Sequence, residues 1–257
     1  MTLTIDVGNT TIQGELFENG KPVLQFRRST NPSLSSDELG LFFRDVIRLN
    51  GFNHTDICQI ACCSVVPAIN HSLANAFIKY FNKDALFIQA GIKTGLKLKY
   101  ANPREIGADR IAAAIGAVEL KKNCNLIIVD MGTATTIDVV TSGREYSGGA
   151  ILPGIGMSVH SLASGTAQLP SVEVIRPEKV CGTSTTEAIQ SGVYFGQAGA
   201  IRELCAQFKE HVFGGENPYV IGTGGFARLF EPSGLFDCIA PDLVLRGLLK
   251  ALELNKI

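Results

Sequence analysis

The sequence predicts an α/β protein built from two lobes of one plan, β-β-β-α-β-α, and three observations predict it. Strand-like runs come in threes at residues 3–27 and again at 127–151. Each triple is followed by segments with helical periodicity. The first strand of each triple ends alike, in Asp6-Val7-Gly8-Asn9-Thr10 and in Asp130-Met131-Gly132-Thr133-Ala134-Thr135-Thr136. A duplicated unit settles the architecture, and it divides the chain into lobes over 1–118 and 119–257.

In the first half, alternation over 3–6, 12–17 and 22–27 gives three strands, the last two joined at Glu18-Asn19-Gly20. Ser35 with Glu38 forms a capping box, and Leu39, Phe42, Phe43, Val46 and Ile47 recur at helical spacing up to a stop at Gly51. A buried strand follows over 57–66, ended by Pro67, then a helix over 69–81 and a strand over 85–89. Residues 105–121 read as a helix with Ile106, Ile111, Ile115 and Val118 along one side. In the second half, strands are expected over 125–130, 137–141 and 146–151, and helices over 154–164 and 184–212. A strand over 219–221, a glycine turn, a strand near Cys238 and a helix over 241–254 complete the chain.

The chain has 257 residues, 46% hydrophobic and 18% charged, with a formal net charge of −1. That balance gives no electrostatic reason to bind nucleic acid or an acidic membrane surface, and it points to a small-molecule partner. Seven cysteines, odd in number and without a C-x-x-C pair, read as reduced core residues. The four histidines form no H-x-x-x-H pair, which argues against zinc. The first residues carry no basic leader, and no apolar run reaches the length of about 18 residues that spans a membrane. A cytoplasmic location is expected.

An aspartate closing a strand points into a cleft, a glycine after it lets the chain turn tightly, and the hydroxyls and amides beyond are donors for phosphate oxygens. One D-x-G-x-T turn is equally an ordinary hairpin; two in matching strand contexts favour a grip on a polyphosphate and its Mg2+. Gly222-Thr223-Gly224-Gly225 suits close approach of an adenosine or its phosphates, or is a plain turn between strand and helix. No G-x-x-x-x-G-K-[ST] motif is present. Asp109, near a helix start in Gly107-Ala108-Asp109-Arg110, is either a dipole-stabilised acid or a catalytic base. The helix start and Arg110 are expected to keep it ionised. Arg110 reads as a clamp for a substrate anion or as a solvated helix arginine. Asp138, on the strand after the second turn, is expected to be structural.

These stretches, with Ser64-Val65-Val66-Pro67 and Gly148-Gly149-Ala150-Ile151-Leu152-Pro153-Gly154, run in order from end to end and resemble the type III pantothenate kinases. The resemblance implies two ribonuclease H-like lobes around a nucleotide cleft and ATP-dependent phosphorylation of pantothenate, the first step of coenzyme A biosynthesis. It implies that Asp109 is the base, and that Tyr100, Gly107, Ala108, Asp109, Arg110 and Thr185 line the substrate site. Asp6, Val7, Gly8, Asn9, Thr10, Thr11, Ile12, Gln13 and Thr133 would bind ATP. Asp6 would serve Mg2+ directly or through water, and Asp130 a monovalent cation, K+ or NH4+. Thr183 or Ser184 would cap the helix that Thr185 opens. A homodimer paired through the second half is also implied. Two rivals share the scaffold, a non-catalytic regulator and a nucleotide or polyphosphate hydrolase; the presence of Asp6, Asp109 and Asp130 argues against the first.

Overall fold

The computed structural model describes residues 1–256. The first sheet contains β1 (Thr2–Val7), β2 (Thr11–Glu18), β3 (Lys21–Ser29), β4 (Gln59–Ser64) and β5 (Ala85–Phe87) in the order β3-β2-β1-β4-β5. β1 runs antiparallel to β2 and parallel to β4. Helices α1 (Ser36–Leu49) and α2 (Pro67–Phe81) bury Leu39, Phe43, Leu73 and Phe77 against Leu3, Ile5 and Val7 of β1. Each such side chain removed from water is worth about 1.5–3 kcal/mol. The capping box at Ser35 and Glu38 is present with both of its hydrogen bonds.

Beyond a two-residue strand β6 (Lys97–Leu98) comes α3 (Ala108–Leu120), shorter than the helix expected over 105–121. Asn102 caps a 3-10 turn at Pro103–Glu105, and Ile106 is extended, so the helix proper begins only after Gly107. The second sheet contains β7 (Leu126–Met131), β8 (Ala134–Val140), β9 (Glu145–Pro153), β10 (Tyr219–Thr223) and β11 (Cys238–Ile239), in the order β11-β10-β7-β8-β9-β6. Apart from β6 at its edge, this order and its strand directions repeat the first sheet. Helices α4 (Ile155–Gly165) and α5 (Thr185–His211) belong to this half. Their Ile155, Tyr194 and Ile201 join Ile127, Val129 and Phe230 in the second core.

The chain forms two compact units that do not follow the expected division at 118/119. One contains Met1–Leu96, Ala101–Leu120 and Leu243–Ile257; the other contains Lys97–Tyr100 and Lys121–Asp242. The last helix, α6 (Leu243–Leu254), expected with the second lobe, is part of the first. The reason is a close helix pair. A Cβ on Gly247 would lie 1.8 Å from the carbonyl oxygen of Ala112, and one on Gly116 would lie 2.3 Å from that of Leu243. Glycine at both positions lets the α3 and α6 backbones touch. Such pairing is invisible to a reading that divides a sequence at one point.

Candidate active site

In the first unit the site grows from the end of β1. Gly8 N–H donates to the Thr11 carbonyl at 3.0 Å and closes the turn. Thr30, just past β3, fastens it: its hydroxyl donates to the Gly8 carbonyl at 2.7 Å and its N–H to that of Thr10 at 2.9 Å. Asn9 and Thr10 remain exposed at the tip. Asp6 lies opposite Gln13 of β2 and beside Cys63 of β4. Cys63 Sγ donates to Asp6 Oδ1 at 3.1 Å. Gln13 Nε2 is buried without a hydrogen-bond partner, an amide donor next to the acid and the turn.

Burial pushes the Asp6 carboxyl from 3.8 up to about 6; the Cys63 hydrogen bond pulls it back, and the Asp109 charge adds to the rise. The Asp6 carboxyl, at the end of β1 beside a turn of amides and hydroxyls, offers an oxygen donor of the kind a hard cation takes together with phosphate oxygens. Among the described residues no cluster of three or more His, Cys, Asp or Glu could hold a metal by itself.

Asp109 stands in the first turn of α3, and its Oδ1 accepts the N–H of Arg110 at 2.8 Å. Gly107 makes room for this: a Cβ there would lie 2.4 Å from that same Oδ1. The helix start and Arg110 do not set the direction of the Asp109 shift. Burial raises its carboxyl above the ordinary value and outweighs the lowering by the Arg110 N–H and guanidinium. Arg110 is itself buried rather than solvated.

In the second unit the corresponding turn is one residue tighter, with Gly132 N–H donating to the Ala134 carbonyl at 3.0 Å. Asp130 pairs in register with Thr136 on one side and with Thr223 of β10 on the other, so Thr223 holds the place that Cys63 holds beside Asp6. The late glycine turn serves this acid. Gly224 has φ +86°, and a Cβ there would lie 2.3 Å from Asp130 Oδ1. Gly154 presses as closely on the tip, where a Cβ would lie 2.1 Å from the Thr133 carbonyl oxygen. Thr133 stays exposed.

A family model for type III pantothenate kinases matches residues 2–207. The chain belongs to the type III pantothenate kinases. Curated proteins of that name include one from Legionella pneumophila (strain Corby), 48% identical over 255 residues and covering 99% of both chains. Another, from Elusimicrobium minutum (strain Pei191), is 43% identical over 256 residues, covering 100% of this chain and 99% of its own. Among solved structures, one described as a Baf family transcriptional activator from Campylobacter jejuni is 20% identical with a TM-score of 0.62, covering 98% and 97% of the two chains. A 2-dehydro-3-deoxygalactonokinase structure from Sinorhizobium meliloti is 12% identical with a TM-score of 0.60, covering 98% and 96%. At those identities the likeness concerns the fold alone, an α/β fold of two ribonuclease H-like lobes. Type III pantothenate kinases phosphorylate pantothenate in coenzyme A biosynthesis.

In this type III pantothenate kinase, the remaining residues expected to contact substrate fall in two places. Tyr100 follows β6, its ring centroid 6.3 Å from that of Tyr146. Thr185 is the first residue of α5 and is exposed, while the capping role falls to Ser184, whose hydroxyl oxygen accepts Glu187 N–H at 3.2 Å. Thr183 reinforces the cap, donating its N–H and hydroxyl to the Glu187 carboxylate at 2.7 and 2.8 Å. Sequence reasoning missed Cys63 and Thr30, and it gave Thr223 only as part of a glycine turn, not as the neighbour of Asp130. Cys63 was hidden in an apolar run; the signal that could have found it is the duplication, which aligns β4 with β10 beside the two aspartates.

Proposed function

We propose that this chain transfers the γ-phosphoryl group of ATP to the primary hydroxyl of pantothenate, giving 4′-phosphopantothenate and ADP, with Asp109 as general base. The observation that carries the reading is that Asp109, buried in the first turn of α3, lies near enough for its charge to raise the Asp6 carboxyl. An acid at a helix start, made more basic by burial, acts electrostatically on the acid of the first phosphate-type turn. As the oxygen–phosphorus bond forms, the hydroxyl proton passes to the Asp109 carboxylate and the bond to the β-phosphate oxygen breaks. Its Arg110 hydrogen bond holds the carboxylate in one orientation for that proton.

Asn9, Thr10, Thr11, the Gly8 amide and the buried Gln13 amide bind phosphate oxygens, with Val7 and Ile12 as the strand walls and Thr133 contributing from the second turn. When bound, Mg2+ would neutralise charge on the phosphate oxygens, and Asp6 would hold it directly or through water. Asp130 would hold K+ or NH4+. Gly107 and Ala108 leave room for pantothenate, which Tyr100, Arg110 and Thr185 contact. α5 presents Gly192, Gly196 and Gly199 with open space around them and Phe195 exposed beside them, a flat face suited to a second copy, and the protein acts as a homodimer. Among the described residues no helix is long and apolar enough to cross a membrane, and the enzyme works in the cytoplasm.

The test is ATP consumption with and without pantothenate, in K+ and in Na+ buffer. Consumption that requires pantothenate and is faster in K+ is expected. Pantothenate-independent consumption would make the protein a hydrolase, and none under any condition a non-catalytic member of the fold.

A further inference from the structure

We infer that the buried pair Asp138 and Tyr146 is a positioning device for Tyr100, and through it for bound pantothenate; this rests on the substrate role proposed above for Tyr100. Three features converge on that ring. The segment Lys97–Tyr100 is sewn onto β9, with Lys97 N–H donating to the Arg144 carbonyl and Lys99 N–H to the Tyr146 carbonyl, each at 2.9 Å. The Tyr100 ring leans on the Tyr146 ring at an interplanar angle of 54°. It also covers Gly148, where a Cβ would stand 3.5 Å from Tyr100 Cε2 and where φ is +106°, a conformation that favours glycine.

Tyr146 is wholly buried, and its hydroxyl donates to Oδ1 of Asp138, itself 1% exposed, at 2.5 Å. A β-bulge lies just beside it: Val139 pairs with Gly148 and Val140 with Tyr146, leaving Ser147 without an opposite residue. Bulges re-aim side chains, and this one lies between the residue under the Tyr100 ring and the residue beside it. A phenylalanine at 146 would fill the same space without requiring a buried acid. What the phenol and carboxylate add is orientation: a ring tethered at its far end cannot tilt or slide, and neither can the ring resting on it.

The test uses the full-length enzyme and four variants, with KM for each substrate, kcat, and calorimetric binding of pantothenate. Tyr146→Phe is expected to raise the pantothenate KM and weaken its binding by roughly tenfold while KM for ATP and kcat stay within about twofold. Asp138→Asn, which keeps an acceptor for the hydroxyl, is expected to give a smaller rise. The double variant Asp138→Leu with Tyr146→Phe removes the pair without stranding a buried acid; it is expected to repeat the Tyr146→Phe effect and serves if the single variant does not fold. Tyr100→Ala tests the underlying role. If it weakens pantothenate binding while neither Tyr146→Phe nor the double variant does, the positioning inference fails and the substrate role of Tyr100 stands. If Tyr100→Ala leaves pantothenate binding unchanged, that role fails and the inference with it. Equal losses toward ATP and pantothenate, tracking a fall in Tm, would reduce the pair to a stabilising contact and overturn the inference.

Discussion

Cys63 donates its thiol hydrogen to the carboxylate of Asp6 across 3.1 Å, between two parallel neighbouring strands. A thiol is a weak donor, so it orients the acid without cancelling the cost of burying its charge. Asp6 is therefore held in place yet left basic, at about 6.

That basicity fixes the sign of a stability effect. A carboxyl raised from 3.8 to about 6 binds its proton more tightly in the native state than in the unfolded chain, so stability falls as pH rises through that window. Above it the full cost applies, at most about 3 kcal/mol. In nucleotide-free protein, Asp6→Asn is expected to raise Tm at pH 7 and above, with the gain shrinking toward pH 4. The same variant is expected to lose kinase activity. Thermal melts across pH check the first expectation and coupled ATP assays the second; a lower Tm at neutral pH would contradict the assigned cost.

Asp109→Asn keeps the shape of the side chain and an acceptor for the Arg110 N–H but removes the base. Turnover is expected to fall by about 10²- to 10⁴-fold with circular dichroism unchanged. In the parent enzyme, activity should be lost as pH falls through the raised Asp109 value, because the protonated acid cannot accept the substrate proton. The acid limb of the kcat/KM profile should therefore lie above the ordinary 3.8. A variant with near-parent rate would remove Asp109 from this role.

The two hydroxyls that open α5 should separate cleanly. Ser184→Ala removes the cap and is expected to cost about 1 kcal/mol of stability, with little change in the pantothenate KM. Thr185→Val, one residue on, is expected to raise that KM with little change in Tm. Melting and steady-state kinetics on both variants decide it, and a reversed pattern would exchange the roles.

Gly247→Ala places a methyl group against the Ala112 carbonyl, where there is no room. Overpacking typically costs about 1–3 kcal/mol, and here it must separate two helices along their backbones. Since α3 carries Asp109 in its first turn, kcat should fall along with Tm. A fully stable and active variant would show that the helix pair can spread without consequence.

Much of this was readable from the chain. The strand triples, the two Asp-x-Gly turns and the capping box at Ser35 depend on neighbours within a few residues, and the same local patterns were present in the structure. The start of α3 was harder, because Asn102 and Pro103 begin a 3-10 turn that imitates a helix start before the extended Ile106. Long-range features left no local trace. Nothing near Gly247 says that it will lie on Ala112, and nothing around Tyr100 says that its short strand will pair with β9. The direction of the Asp109 shift was not legible because burial, which raises it, cannot be counted from adjacent residues.

The distribution of α6 also bears on how the protein comes off the ribosome. Residues 121–242, with the short segment 97–100 already made, can assemble one unit while the chain is still growing. The other unit, although its strands are synthesised first, leaves the Ala112 and Gly116 face of α3 uncovered until the last helix emerges. The half that begins the polypeptide is thus the half that finishes last, and a nascent chain stalled before Leu243 would expose that face to chaperones and to its neighbours.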